Sequence, residues 1–158
     1  MLNMKSIWNI VESVSDFPSE NDWKSYEGPK IRTYQDTRPE DGIQLVWVCP
    51  DMIDSNIELI KKVYAHDERA LMNIVDPKGI CIVIDRNRYG MYNAYLCITC
   101  KRGCYPIPQC FIGQFSNEKT AKKESFNFFK QFKDETKFVN MLNIIADKKT
   151  PINTRTKL

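Results

Sequence analysis

Four cysteines fall within fourteen residues: Cys97, Cys100, Cys104 and Cys110. Four thiolates could hold a tetrahedral zinc ion. Their gaps of two, three and five residues do not give the usual two close ligand pairs set apart. Cys97 and Cys100 also fall on one strand, at a spacing that turns them to opposite faces. The expectation is therefore four separate thiols and no metal. Cys49 and Cys81 sit in apolar runs and read as core residues, because a free cysteine packs as a small hydrophobe. The single histidine stands in His66-Asp67-Glu68-Arg69. An imidazole beside a thiol would make a nucleophile and its base, yet no cysteine is placed beside His66 by sequence. Polar surface at a helix junction is the expected role. A phosphate-binding glycine loop, a dinucleotide fingerprint, a His-Glu-x-x-His pair and paired carboxylates are all missing from the 158 residues. Neither an enzyme nor a cofactor is expected.

The basic residues carry the stronger signal. Residues 1–84 hold nine Lys/Arg against fourteen Asp/Glu, whereas residues 85–158 hold fourteen against six. A net charge of +3 thus hides an acidic front half and a basic back half. Such asymmetry points to a polyanion partner or to a match between the halves; a solvated lysine face is the plain alternative. The candidate contacts are Lys119, Lys122, Lys123 and Lys130 on one helix, Arg86, Arg88 and Arg102 in loops, and Tyr95 and Lys101 on a strand.

These residues need elements to hold them. Ser6 to Val14 carries Ile7, Ile10, Val11 and Val14 at helical spacing. Asp16 to Gly42, punctuated by Pro18, Pro29 and Pro39, reads as an extended surface segment. Gly42 to Cys49 is a strand ended at Pro50-Asp51. Asp54 or Ser55 is the expected cap of a helix with Ile57, Ile60, Val63 and Tyr64 inward. Asp67 caps a further turn or two. Strands follow at Ile80 to Asp85, Tyr92 to Lys101 and Gln109 to Phe115, with joints at 86–91 and 102–108 short enough for an antiparallel meander. A helix capped by Ser116 or Asn117 runs to about Phe132. Its buried stripe is Ala121, Ser125, Phe128, Phe129 and Phe132; Lys119, Lys122, Lys123, Phe126, Lys130 and Lys133 face out. A last helix after Asp134 buries Phe138, Met141, Leu142 and Ile145. Lys148 to Leu158 is a basic tail.

Three antiparallel strands and a helix, with Tyr92-Asn-Ala94-Tyr-Leu96, Ile112-Gly113-Gln-Phe115 and Ala121 six residues on, resemble the AP2 and phage-integrase arm-type DNA-binding domains. The resemblance covers about residues 79–133. It implies a sheet lying in the major groove, with Tyr95, Thr99, Lys101, Arg86 and Arg88 at the ligand. Family sheets are rich in arginine at positions where this one has Cys97 and Thr99. A second resemblance is to double-stranded-RNA-binding domains, carried by the helix–three strands–helix order and by Lys119-Thr-Ala121-Lys122-Lys123. It implies lysines straddling phosphates; that family's Gly-Pro-x-His loop is missing.

Alternation turns Tyr92, Ala94, Leu96 and Ile98 toward the core and leaves Asn93, Tyr95, Cys97, Thr99 and Lys101 on the other face. That face either meets a ligand or is covered by the first 40 residues, and its neutral residues favour the cover. The fold expected is α+β, an antiparallel sheet of three to four strands packed by helices on one face. One domain spans 1–158: helix and extended segment to residue 44, core over 45–133, helix over 134–147, tail over 148–158. No apolar run exceeds five residues, so a membrane span is not expected. The N-terminus lacks a secretory pattern, which makes the thiols those of a cytoplasmic protein. Abundant Lys, Asn and Ile suit an AT-rich phage or viral genome. The function expected is non-enzymatic binding of nucleic acid, a DNA duplex ahead of RNA. The alternative is a protein-binding effector or inhibitor that blocks a host macromolecule.

Overall fold

The computed structural model describes residues 17–26, 28, 42–101 and 103–147. The expected N-terminal helix, most of the extended segment, Arg102 and the basic tail lie outside the described residues. The described chain forms one antiparallel sheet whose strand order follows the sequence. Its strands are β1 (Lys24–Ser25), β2 (Ile43–Val48), β3 (Gly79–Arg86), β4 (Tyr92–Cys100) and β5 (Gly103–Phe115). Helices α1 (Pro50–Ser55), α2 (Ile57–Val63) and α3 (Glu68–Asn73) lie between β2 and β3. Helices α4 (Glu118–Lys130) and α5 (Glu135–Asp147) follow β5, separated by a 3₁₀ turn over Gln131–Lys133. Among the described residues no helix is long and apolar enough to cross a membrane.

The α+β class is as expected, but the sheet has five strands. Lys24–Ser25 adds the fifth by pairing with Gln44 and Ile43. Two polar residues carry no period-2 pattern, so the strand has no sequence signal of its own. The second difference lies in β5, which starts at Gly103 rather than Gln109. Pro106 and Pro108 look like a joint, yet β5 is an edge strand bonded to β4 alone, where a missing N–H costs no ladder bond. The register shifts at Tyr95, and Gln109 opposite takes φ 65°, so an irregularity absorbs what the prolines disturb.

The helices between β2 and β3 also start earlier than expected. Pro50 occupies the first turn of α1, where its missing N–H is harmless. Asp54 and Ser55 therefore lie inside α1, and Asn56 breaks the path into α2. Elsewhere the caps fall as expected. Asp67 Oδ1 accepts from Ala70 N at 3.0 Å, Asn117 Oδ1 from Thr120 N at 2.8 Å, and Asp134 Oδ1 from Thr136 N at 2.9 Å.

The main core lies between the sheet and the helices. Leu45, Trp47, Ile80, Ile82, Ile84, Leu96 and Ile98 meet Ile53, Ile60, Ala121, Phe129, Phe138 and Leu142 there. Phe126, expected to face out, is half-buried instead. Phe17 packs on it at 6.2 Å and on Phe129 at 5.2 Å, and Lys130 Nζ sits 5.4 Å above its ring. Gly79 is required where β3 passes β2, because a Cβ there would run into the Trp47 carbonyl oxygen.

The opposite face of the sheet is also buried. Cys81, Val83, Tyr95, Cys97 and Cys104 form a second apolar cluster, with Tyr26 and Val46 packed against it. Strand alternation assigns these residues to the correct face, and that face is buried, with Tyr26 from the first 40 residues packed on it, the outcome its neutral residues favour.

Candidate nucleic-acid interface

Register decides which basic residues come together. Tyr92 pairs with Arg86 on one side and with Phe115 on the other. The β3–β4 turn and the end of β5 therefore share one end of the sheet. Helix α4 begins three residues after β5 and packs on β5, β4 and β3. Lys119, Lys122 and Lys123 occupy its first turn and a half, beside that same end. Arg86 continues the Ile80, Ile82, Ile84 row onto the helix-covered face, and its guanidinium lies 5.9 Å from the Tyr92 ring centroid. Arg86, Lys119 and Lys123 are exposed. Lys122 is half-buried and pairs with Glu118 at 3.2 Å across one helical turn.

Arg88 and Tyr89 form the turn's tip. The Arg88 guanidinium stands 5.1 Å from the Tyr89 ring centroid, and its Nη2 donates to Tyr89 Oη at 2.9 Å. Beneath the tip, on the face away from the helices, a polar row crosses the sheet: Asp85, Asn93 and Gln114 are register partners. Gln114 Nε2 donates to Asn93 Oδ1 at 3.0 Å. Asp85 is 0% exposed and neither carboxyl oxygen has a hydrogen-bond partner. Burial pushes its pKa up to about 7.

The remaining candidates among the described residues do not join this end. Lys101 follows β4 at the opposite end of the sheet, nine residues beyond Tyr92 or about 31 Å at ~3.4 Å per strand residue. Beside it a depression of about 310 Å³ is lined by Met72, Asn73, Val75, Asp76 and Lys101. Arg102 lies outside the described residues. Lys130 is eleven residues beyond Lys119, or about 16 Å along α4. Tyr95 is 6% exposed and packs against the tilted Phe111 ring at 5.3 Å, so it presents no base-reading surface. Asn93 and Cys97 beside it are fully buried.

The cysteines are six buried free thiols. Cys97 and Cys100 do face opposite sides, one in each cluster. Among the described residues no three His, Cys, Asp or Glu side chains are grouped to hold a metal ion. Spacing alone did not reveal that Cys81 packs with Cys97 and Cys104 in one buried cluster. Burial raises the pKa of Cys49, Cys100 and Cys110 to about 12. Cys104 is raised too, first by the Cys81 thiol and then by burial. These are poor nucleophiles. His66 is exposed in the turn that follows α2. Sequence reasoning passed over Asp85, Asn87 and Tyr89, whose one signal is the run Asp85-Arg-Asn-Arg-Tyr-Gly90 closing a hairpin.

No family model, curated protein or solved structure matches this chain.

Proposed function

We propose that this is a cytoplasmic, non-enzymatic nucleic-acid-binding protein that works with the end of the sheet carrying the β3–β4 turn. The supporting observation is the double pairing of Tyr92 with Arg86 and Phe115. It sets Arg86 and Arg88 at the same end of the sheet as the lysine-rich start of α4. A cluster of cations at one edge of a fold is suited to a backbone of closely spaced phosphates. The contacts assigned to Tyr95 on the sheet face move to this end, since Tyr95 is buried.

Fluorescence anisotropy of a labelled oligonucleotide, titrated with the full chain over a salt series, tests the reading. Lys119→Ala/Lys123→Ala should weaken binding to every sequence alike and reduce the salt slope by about two, near one unit per phosphate contact. A double variant that binds like the parent, with the parent's salt slope, overturns the proposal.

A further inference from the structure

Tyr89 is 71% exposed, and the turn below is built to hold it in place. The buried Asn87 side chain accepts two backbone hydrogen bonds through Oδ1, from Tyr89 N at 2.9 Å and from Met91 N at 3.0 Å. Asn87 N donates to Met91 O at 2.8 Å, and Gly90 N donates to Asn87 O at 3.0 Å. Gly90 closes the turn at φ 81°, where a side chain would be strained. The backbone on both sides of Tyr89 is thus tied to one buried residue. Arg88 lies over the ring and bonds its hydroxyl, so two flat groups project as a unit. This exposed ring adds nothing to either apolar cluster.

We infer that Tyr89 is a stacking platform for an unpaired base, and that the ligand of this surface is single-stranded nucleic acid. The inference rests on the nucleic-acid reading above and narrows it. A duplex keeps the faces of its bases against one another, whereas an unpaired base offers a free face to an aromatic ring. Stacking on a tyrosine is tolerant of base identity. Lys119 and Lys123, at the same end of the sheet, supply the contacts to the strand's phosphates. Asn87 is a positioning residue: a ring already fixed in its display geometry loses less freedom on binding.

The experiment uses the full chain and one mixed-sequence labelled oligonucleotide of about 12 nucleotides, within the usual span of single-strand sites, offered alone and as a duplex. The parent should prefer the single strand. Tyr89→Ala should weaken single-strand binding about tenfold, the loss expected for one stacked base, with little change on the duplex. Tyr89→Phe should keep the affinity, because the ring does the stacking. Asn87→Ala should weaken single-strand binding and leave the salt slope unchanged, which loss of a phosphate contact would not do. A parent that prefers the duplex, or a Tyr89→Ala variant that binds the single strand as the parent does, overturns the inference. Should Tyr89→Ala bind normally while Lys119→Ala/Lys123→Ala fails, the basic surface stands and only the stacking role falls. Should the lysine variant bind normally, the broader reading falls with it.

Discussion

The Cys104 thiol on β5 lies 3.6 Å from Gln44 Oε1 on β2, although β3 and β4 run between them. Cys104 pairs with Thr99, Thr99 with Gly79, and Gly79 with Val48, four residues beyond Gln44. In a flat sheet, strand spacing and residue rise would hold the two backbones about 19 Å apart. Their contact requires the sheet to coil along one diagonal, the direction in which twist accumulates. Tyr26 reinforces the closure from the β1 edge, its hydroxyl donating to the Cys104 carbonyl at 3.5 Å. The residues beneath the crossing are small: Gly79, Cys81 and Cys97. Cys81, Cys97 and Cys104 thus have a packing role as the side chains that let two corners of a sheet approach.

That role predicts a size limit. Cys81→Leu adds bulk at a fully buried position inside the closed diagonal and should cost about 1–3 kcal/mol, the usual penalty for overpacking. Cys81→Ala should cost less. Equal stability of the leucine variant and the parent in urea denaturation would show that the crossing has room to spare.

The thiols should be silent in the folded protein. All six are buried, and burial raises Cys49, Cys100 and Cys110 to about 12, so the thiolate fraction at pH 8 is very small. A colorimetric disulfide reagent should find no fast-reacting thiol under native conditions and all six in denaturant. A stoichiometric fast phase in the native protein contradicts this packing.

Helix α4 carries the lysines of the proposed interface, so its start matters to function as well as to stability. Asn117→Ala removes the acceptor for Thr120 N and should cost about 1 kcal/mol, the typical value for a lost N-cap. Asn117→Ser should recover most of it. Matching stabilities for all three proteins would mean that the cap bond contributes nothing.

Periodicity was enough to place the long elements. The alternation from Tyr92 to Lys101 separates the two faces of β4, and the Ala121, Ser125, Phe129 stripe finds the buried side of α4. What stayed hidden depends on tertiary context. Pro106 and Pro108 suggest a loop unless β5 is known to be an edge strand. Phe126 falls on the lysine side by spacing, and Phe17, more than a hundred residues away in sequence, packs on it. The neutral residues Asn93, Tyr95 and Thr99 hint that the second sheet face is covered, but not that Tyr26 packs on it. The candidate interface was half legible: Arg86, Arg88 and the lysines stand out by charge, but their common location is a property of register. Tyr89 in a polar turn carries no signal until its exposure and the Asn87 clamp are seen.

The last prediction concerns the carboxyl under that turn. Burial moves Asp85 from its ordinary 3.8 up to about 7, so the folded protein keeps this proton at pH values where the unfolded chain has lost it. Between about pH 4 and 7 the folded state binds more protons, and stability must fall as pH rises. The contribution is complete below about 3.8, fades through the window and is gone above about 7. Replacing the carboxyl with an amide removes the ionisable group and keeps its shape. Asp85→Asn should therefore flatten the decline in stability between pH 5 and pH 8. At pH 8 it should also stabilise the protein, by up to about 4 kcal/mol if the full three-unit difference is expressed. Urea denaturation of parent and variant at both pH values measures it, with the difference between the two proteins isolating Asp85 from other titrating groups. Parallel curves for the two proteins would show that the carboxyl is solvated or paired in solution, and that the polar row of Asp85, Asn93 and Gln114 is not the dry site its burial describes.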